Sequence, residues 1–141
     1  MKILSPPGWK RPKGFANGIE AQGRLVFVAG QIGWTPAEVF ETDDLVGQVR
    51  QALENVMAVM AEADAKPHHI VRMTWYVVDK KEYRAKSKEI GEAYRDIVGV
   101  HYPTMTLIEV RALLEDRAKV EIEATAVIPA GGRVAPPGLR G

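Results

Sequence analysis

The chain has 141 residues, enough for one domain with a real core and few for two. Hydrophobic residues make up 46% and charged residues 26%, which excludes a disordered chain, and a net charge of +1 gives no general pull toward nucleic acid or acidic membranes. The absence of cysteine excludes disulfides and thiolate chemistry.

Residues 1–14, MKILSPPGWKRPKG, hold three prolines, two glycines and four basic side chains. Proline fixes φ and removes a donor, so an extended arm is expected here. The arm has no apolar run of signal-peptide length, and no later stretch is long enough to span a bilayer. A cytoplasmic protein with no membrane partner is expected. Phe15–Glu20 and Leu25–Gly30 read as two strands joined across AQGR, with Gly23 taking the turn. Gly33–Glu41 reads as a loop. Thr42, Asp43 and Asp44 offer N-caps for a helix whose apolar stripe runs through Leu45, Val49, Leu53, Val56 and Met60, with Pro67 as its stop.

Ile70–Asp79, rich in β-branched and aromatic residues, is the next strand. A second helix carries Tyr83, Ser87, Ile90, Tyr94 and Ile97 on one stripe and closes at Gly99. Pro103–Val110 and Lys119–Ile128 then alternate with period two. In the last strand Val120, Ile122, Ala124 and Ala126 form one row, and Lys119, Glu121, Glu123, Thr125 and Val127 the other. The order predicts an α+β fold, a mixed sheet with two helices on one face. Its second face, expected to carry Met105, Leu107, Val127 and the glutamate row, turns to a ligand or another subunit. The domain spans 15–129, and residues 130–141, rich in glycine and proline, form a tail expected to be flexible.

Candidate chemistry is sparse. His68 and His69 are adjacent, so their side chains are expected to diverge, and His101 stands alone. No metal site follows. Lys80, Arg84 and Lys88 have helical spacing, but Glu82, Glu89 and Glu92 interleave with them, which reads as a solvated face rather than a nucleic-acid stripe. Trp34 and Trp75 read as packing before ligand stacking. Glu121 and Glu123 are the carboxylates that can orient water or shuttle a proton if their face is covered.

The ordered set LVFVAGQI, VRQALENVMAVMAEA, IVRMTWYVVD, EYRAKSKEIGEAY, YPTMTLIEV and KVEIEATAV resembles the Rid (YjgF-like) family, older labels for which are endoribonuclease and translation inhibitor. The resemblance implies a chorismate-mutase-like subunit with a mixed six-stranded sheet. It also implies a homotrimer with small-molecule clefts between subunits, and hydrolysis of reactive enamines and imines without metal or cofactor. By the same resemblance, Gly30 and Gln31 match the family's glycine at the cleft, and Glu121 matches the glutamate that positions water. Met105 stands where active members carry an arginine for the substrate carboxylate. Phe15 replaces a tyrosine, Ser87 an asparagine and Leu107 a cysteine. Two expectations follow: hydrolysis of a less anionic substrate through Glu121, or a trimer that binds or senses a metabolite without catalysis. Should another basic group occupy the cleft in place of the missing arginine, Arg72 and Arg111 are the first candidates.

Overall fold

The structure, a computed structural model, describes residues 1–130. Beyond Ala130 the expected tail lies outside the described residues. Among the described residues six strands divide into two sheets. Lys2–Leu4 (β1) pairs antiparallel with Gly18–Glu20 (β2). The main sheet holds Arg24–Ile32 (β3), Ile70–Val77 (β4), Thr104–Glu109 (β5) and Val120–Ile128 (β6), in the order β3-β6-β4-β5. Only β4 and β5 run parallel, joined by a helical crossover. The α+β class with helices on a mixed sheet is as expected, with the six strands split four and two. The predicted β2–β3 hairpin is not formed, because β2 pairs with β1 and β3 with β6. Gly23 does take a positive φ of 151°, but its backbone lies against the end of β6, where an added Cβ would meet Pro129 Cα at 2.9 Å.

Leu45–Ala61 (α1) is capped by Asp44, whose carboxylate accepts from Gly47 N at 2.8 Å. Its expected stripe is the core: Leu45, Val49, Leu53, Val56 and Met60 are buried. Pro67 is not its stop. The helix ends at Ala61, the chain turns through Asp64 at φ 57°, and Pro67 opens a short 3₁₀ turn. The predicted second helix is two, Lys80–Ala85 (α2) and Ser87–Ile97 (α3), parted at Lys86 where ψ is 14°. Lys80, Arg84 and Lys88 therefore do not share one continuous stripe. Gly99, at φ 95°, follows α3 as expected. Among the described residues no helix is long and apolar enough to cross a membrane.

His68 and His69 do not diverge: the 3₁₀ turn sets their rings 4.2 Å apart. The Lys66 N–H donates to His69 Nδ1 at 2.8 Å, a bond open only to the unprotonated ring. Burial, then the charge of His68, holds the His69 pKa below its ordinary 6.5. The folded state thus takes up this proton less readily than the unfolded one. The contribution to stability is present above pH 6.5 and is lost as pH falls from there through the lower folded value. Denaturant titrations on the acid side of 6.5 are expected to show a shallower loss of stability in His69→Asn than in wild type. Equal slopes would contradict this.

Candidate functional site

Cross-strand register assigns the faces of the main sheet. Trp75 lies opposite Ile122 and Leu107, and Met73 opposite Ala124 and Met105. Residues paired this way share a face, so Met105 and Leu107 stand on the helix side. That corrects the sequence expectation, which set them on the open face beside Glu121. The error lay in phase: β5 joins the sheet through β4, and only that pairing fixes which of its rows faces α3.

The open face carries a different set. Glu121 lies opposite Tyr76, Glu123 opposite Thr74, and Thr125 opposite Arg72 and the strongly exposed Phe27. Here a shallow concavity of about 670 Å³ is lined by Phe27, Arg72, Tyr76, Thr106, Ile108 and Glu123 among others. Tyr76 donates its hydroxyl to Glu123 Oε1 at 2.6 Å, and this bond, with partial burial, raises the tyrosine's pKa.

Glu121 occupies space that Gly30 leaves open. A Cβ at residue 30 would collide with the glutamate's carboxylate and approach its Cγ to 2.9 Å. Beside it the ladder between β3 and β6 is interrupted between Val28 and Gln31, a bulge of the kind that re-aims backbone near sites. Gln31 turns its amide to Ala29 O at 3.1 Å. Gly30, Gln31 and Glu121 therefore form one cluster within the chain.

Met105 and Ser87 belong to a second place. They line a cavity of about 330 Å³ between α3 and β5, with Trp75, Tyr83, Tyr94 and Tyr102 as aromatic walls. Trp75 sits 6.4 Å from Tyr83 and 6.5 Å from Tyr94, and Tyr94 stacks on Tyr102 at 5.6 Å. Burial pushes up the pKa of both Tyr83 and Tyr94. Tyr94 donates its hydroxyl to the His101 carbonyl, and His101 Nε2 bonds the Ile70 carbonyl at 2.6 Å. Trp75 Nε1 is buried with no acceptor among the described residues. Phe15 lines an adjoining hollow with His101, which meets this cavity at Gly14 and Tyr102. Leu107 packs behind, opposite Trp75 and against the core.

The predicted site residues thus fall into two groups on opposite faces of one subunit. Neither expected stand-in cation reaches the Met105 cavity. Arg72 lies on the open face, and Arg111 is exposed in the turn after β5. Arg95 lines the cavity instead, and nothing in the sequence marked it among 19 lysines and arginines. The tyrosines carried a fainter sign, since Tyr83, Ser87 and Tyr94 shared one stripe of the predicted second helix, now divided between α2 and α3. Among the described residues no group of three or more His, Asp or Glu is placed to hold a metal ion.

The family model described as endoribonuclease L-PSP matches residues 10–128. The chain belongs to the YjgF/Rid family. Its Rid relatives include the 2-iminobutanoate/2-iminopropanoate deaminase of Salmonella typhimurium, 34% identical over 113 residues that cover 80% of this chain and 86% of the relative. A RutC family protein of Haemophilus influenzae is 35% identical, over 74% of this chain and 80% of its own. The Rid fold is equally evident in solved structures. Rid protein YyfB of Yersinia pestis superposes with a TM-score of 0.79 at 30% identity, over 90% of this chain and 98% of that one. Escherichia coli TdcF with bound serine gives a TM-score of 0.65 at 31% identity, over 91% and 99%.

Proposed function

We propose that this chain works as a homotrimer that takes a small imine or enamine into clefts between subunits and hydrolyses it with water held by Glu121. The observation that carries the reading is the separation of the two site groups. Glu121, set against Gly30, lies on the open face, while Ser87 and Met105 line a cavity on the helix face, with Phe15 beside it. A second copy seated on the open face would bring one subunit's Glu121 to another's cavity, and would cover Phe27 and Ile108, both exposed. The deaminase and serine-bound relatives support a small, amino-acid-like substrate class.

In this reading the Glu121 carboxylate accepts a proton from water as the water oxygen bonds the imine carbon. The C=N electron pair moves to nitrogen, which takes up that proton. Transfer of the hydroxyl proton to nitrogen then releases ammonia and leaves a carbonyl. Met105, where by the resemblance active members carry an arginine, supplies no charged grip for a substrate carboxylate. Unless another cation of the cavity takes that carboxylate, turnover of 2-iminobutanoate is expected to fall about ten- to a hundredfold below an arginine-bearing relative.

The test is a deaminase assay on freshly generated imines, run with sedimentation. Glu121→Gln is expected to abolish turnover and leave the trimer intact. A Glu121→Gln protein as active as wild type removes Glu121 from the mechanism, and a stable monomer at micromolar concentration removes the intersubunit cleft. Wild-type protein inert toward every imine overturns hydrolysis and leaves a metabolite-binding trimer, the reading that Met105 favours.

A further inference from the structure

We infer that Arg95 is the anion anchor of the Met105 cavity, and that the cavity takes a small carboxylate with an apolar or aromatic body. This rests on the reading above only in taking this cavity as the ligand cleft. Three observations carry it.

The first is the row Ser87, Gly91, Arg95. These residues are spaced by four along α3, so they stand one above another on a single helix face, and all three line the cavity. Long side chains on a helix run back toward the preceding turn. Arg95 does so: a Cβ at Gly91 would lie 3.5 Å from its Nη1, so the guanidinium extends over the bare glycine at the cavity wall.

The second is charge. Among the described residues Arg95 is the one charged side chain lining the cavity, and it makes no ion pair with a carboxylate there. Of the α3 carboxylates, Asp96 pairs with Arg50 at 3.0 Å and Glu89 with Lys86 at 3.8 Å, while Glu92, three residues before Arg95, makes no ion pair with it among the described residues. A guanidinium facing an apolar hollow with no protein counter-ion is suited to two charge-assisted bonds from a ligand carboxylate.

The third is the wall. Trp75, Tyr83, Ile90, Tyr94 and Met105 enclose the rest of the volume. The Tyr94 hydroxyl is already bonded to the His101 carbonyl and Trp75 Nε1 is sealed from solvent. Ser87, Tyr83 and Tyr102 add hydroxyls to the lining, but the broad surfaces are ring faces and aliphatic side chains, complementary to an aromatic or branched body. The volume of about 330 Å³ is at the small end of ligand pockets, and fits a single ring with a short acid chain.

The experiment is isothermal titration of the full chain with 3-phenylpropanoate and its neutral isostere 3-phenylpropanamide. Wild type is expected to bind the acid at least about tenfold more tightly than the amide. Arg95→Gln should weaken acid binding about ten- to a hundredfold and leave amide binding unchanged, while Arg95→Lys restores part of the difference. Arg95 is exposed on α3, so the variants should melt with wild type, which thermal unfolding checks. Equal affinity for acid and amide, an unchanged acid affinity in Arg95→Gln, or no binding of either compound by folded wild type overturns the inference. None of these readouts needs turnover. Acid binding lost with Arg95 in a protein that hydrolyses no imine keeps the anchor and removes the hydrolysis. Imine turnover whose KM ignores Arg95→Gln does the reverse.

Discussion

Trp75→Ala is expected to lower folding stability by about 3–5 kcal/mol, the range for emptying a large aromatic site in a core. Trp75 is only 2% exposed and sits on β4 with Ile122 and Leu107 opposite it on the two neighbouring strands. The rings of Tyr83 and Tyr94 close over it, so little nearby can collapse into the space. Trp75→Phe separates volume from polarity. Because the indole N–H meets no acceptor among the described residues, removing it forfeits no hydrogen bond. The phenylalanine variant is therefore expected to retain most of the stability, with a loss of about 1 kcal/mol for the smaller ring. Chemical denaturation of both variants decides the matter. Equal losses would mean that the indole nitrogen has a partner in solution.

Gln48→Leu is expected to destabilise by about 3 kcal/mol, with a fall in melting temperature of roughly 10 °C. Gln48 is fully buried on α1. Its Nε2 donates to the carbonyls of Thr42 at 3.1 Å and Arg117 at 3.0 Å, and its Oε1 accepts from Lys119 N at 2.8 Å. The amide thereby ties the lead-in to α1 to the segment that enters β6. Leucine has nearly the same volume, so the loss measures three backbone groups stripped of partners rather than a cavity. Gln48→Glu should also be unstable, since a carboxylate in this place sets oxygen against the two carbonyls. Thermal unfolding of Gln48→Leu within about 2 °C of wild type would show that water or a shifted backbone replaces the clamp.

Local patterns in the sequence were enough for the elements whose chemistry is local. An N-cap among Thr42, Asp43 and Asp44, the α1 stripe from Leu45 to Met60 and the two rows of β6 follow from local pattern alone. Expectations went astray wherever a partner far along the chain decides. Alternation in β5 defines two rows but not which one meets the helices, so Met105 and Leu107 were set on the wrong face. The β2–β3 turn looked like a hairpin because nothing in AQGR reveals that β6 will claim β3. Pro67 looked like a helix stop because the turn through Asp64 carries no glycine to announce it. At the site, Gly30 and Glu121 are far apart in sequence, and their contact depends on the β3–β6 register. The Arg95 guanidinium matters only because Gly91 below it has no side chain, a relation visible once α3 is laid against β5.

The position of β6 has a consequence for how the protein is made. This strand follows every other described element in the chain, yet it lies between β3 and β4 in the middle of the main sheet. A nascent chain that has passed β5 can pair β4 with β5 and dock α3. Its β3 still has no neighbour in that sheet, and one edge of β4 stays bare. Two open strand edges and an uncovered apolar row therefore accompany the chain until residues 120–128 leave the ribosome, a state prone to pairing with other chains. Folding of the main sheet is in that sense deferred to its last strand, and ribosomes stalled before β6 should yield aggregates or chaperone-bound chains rather than a smaller stable domain.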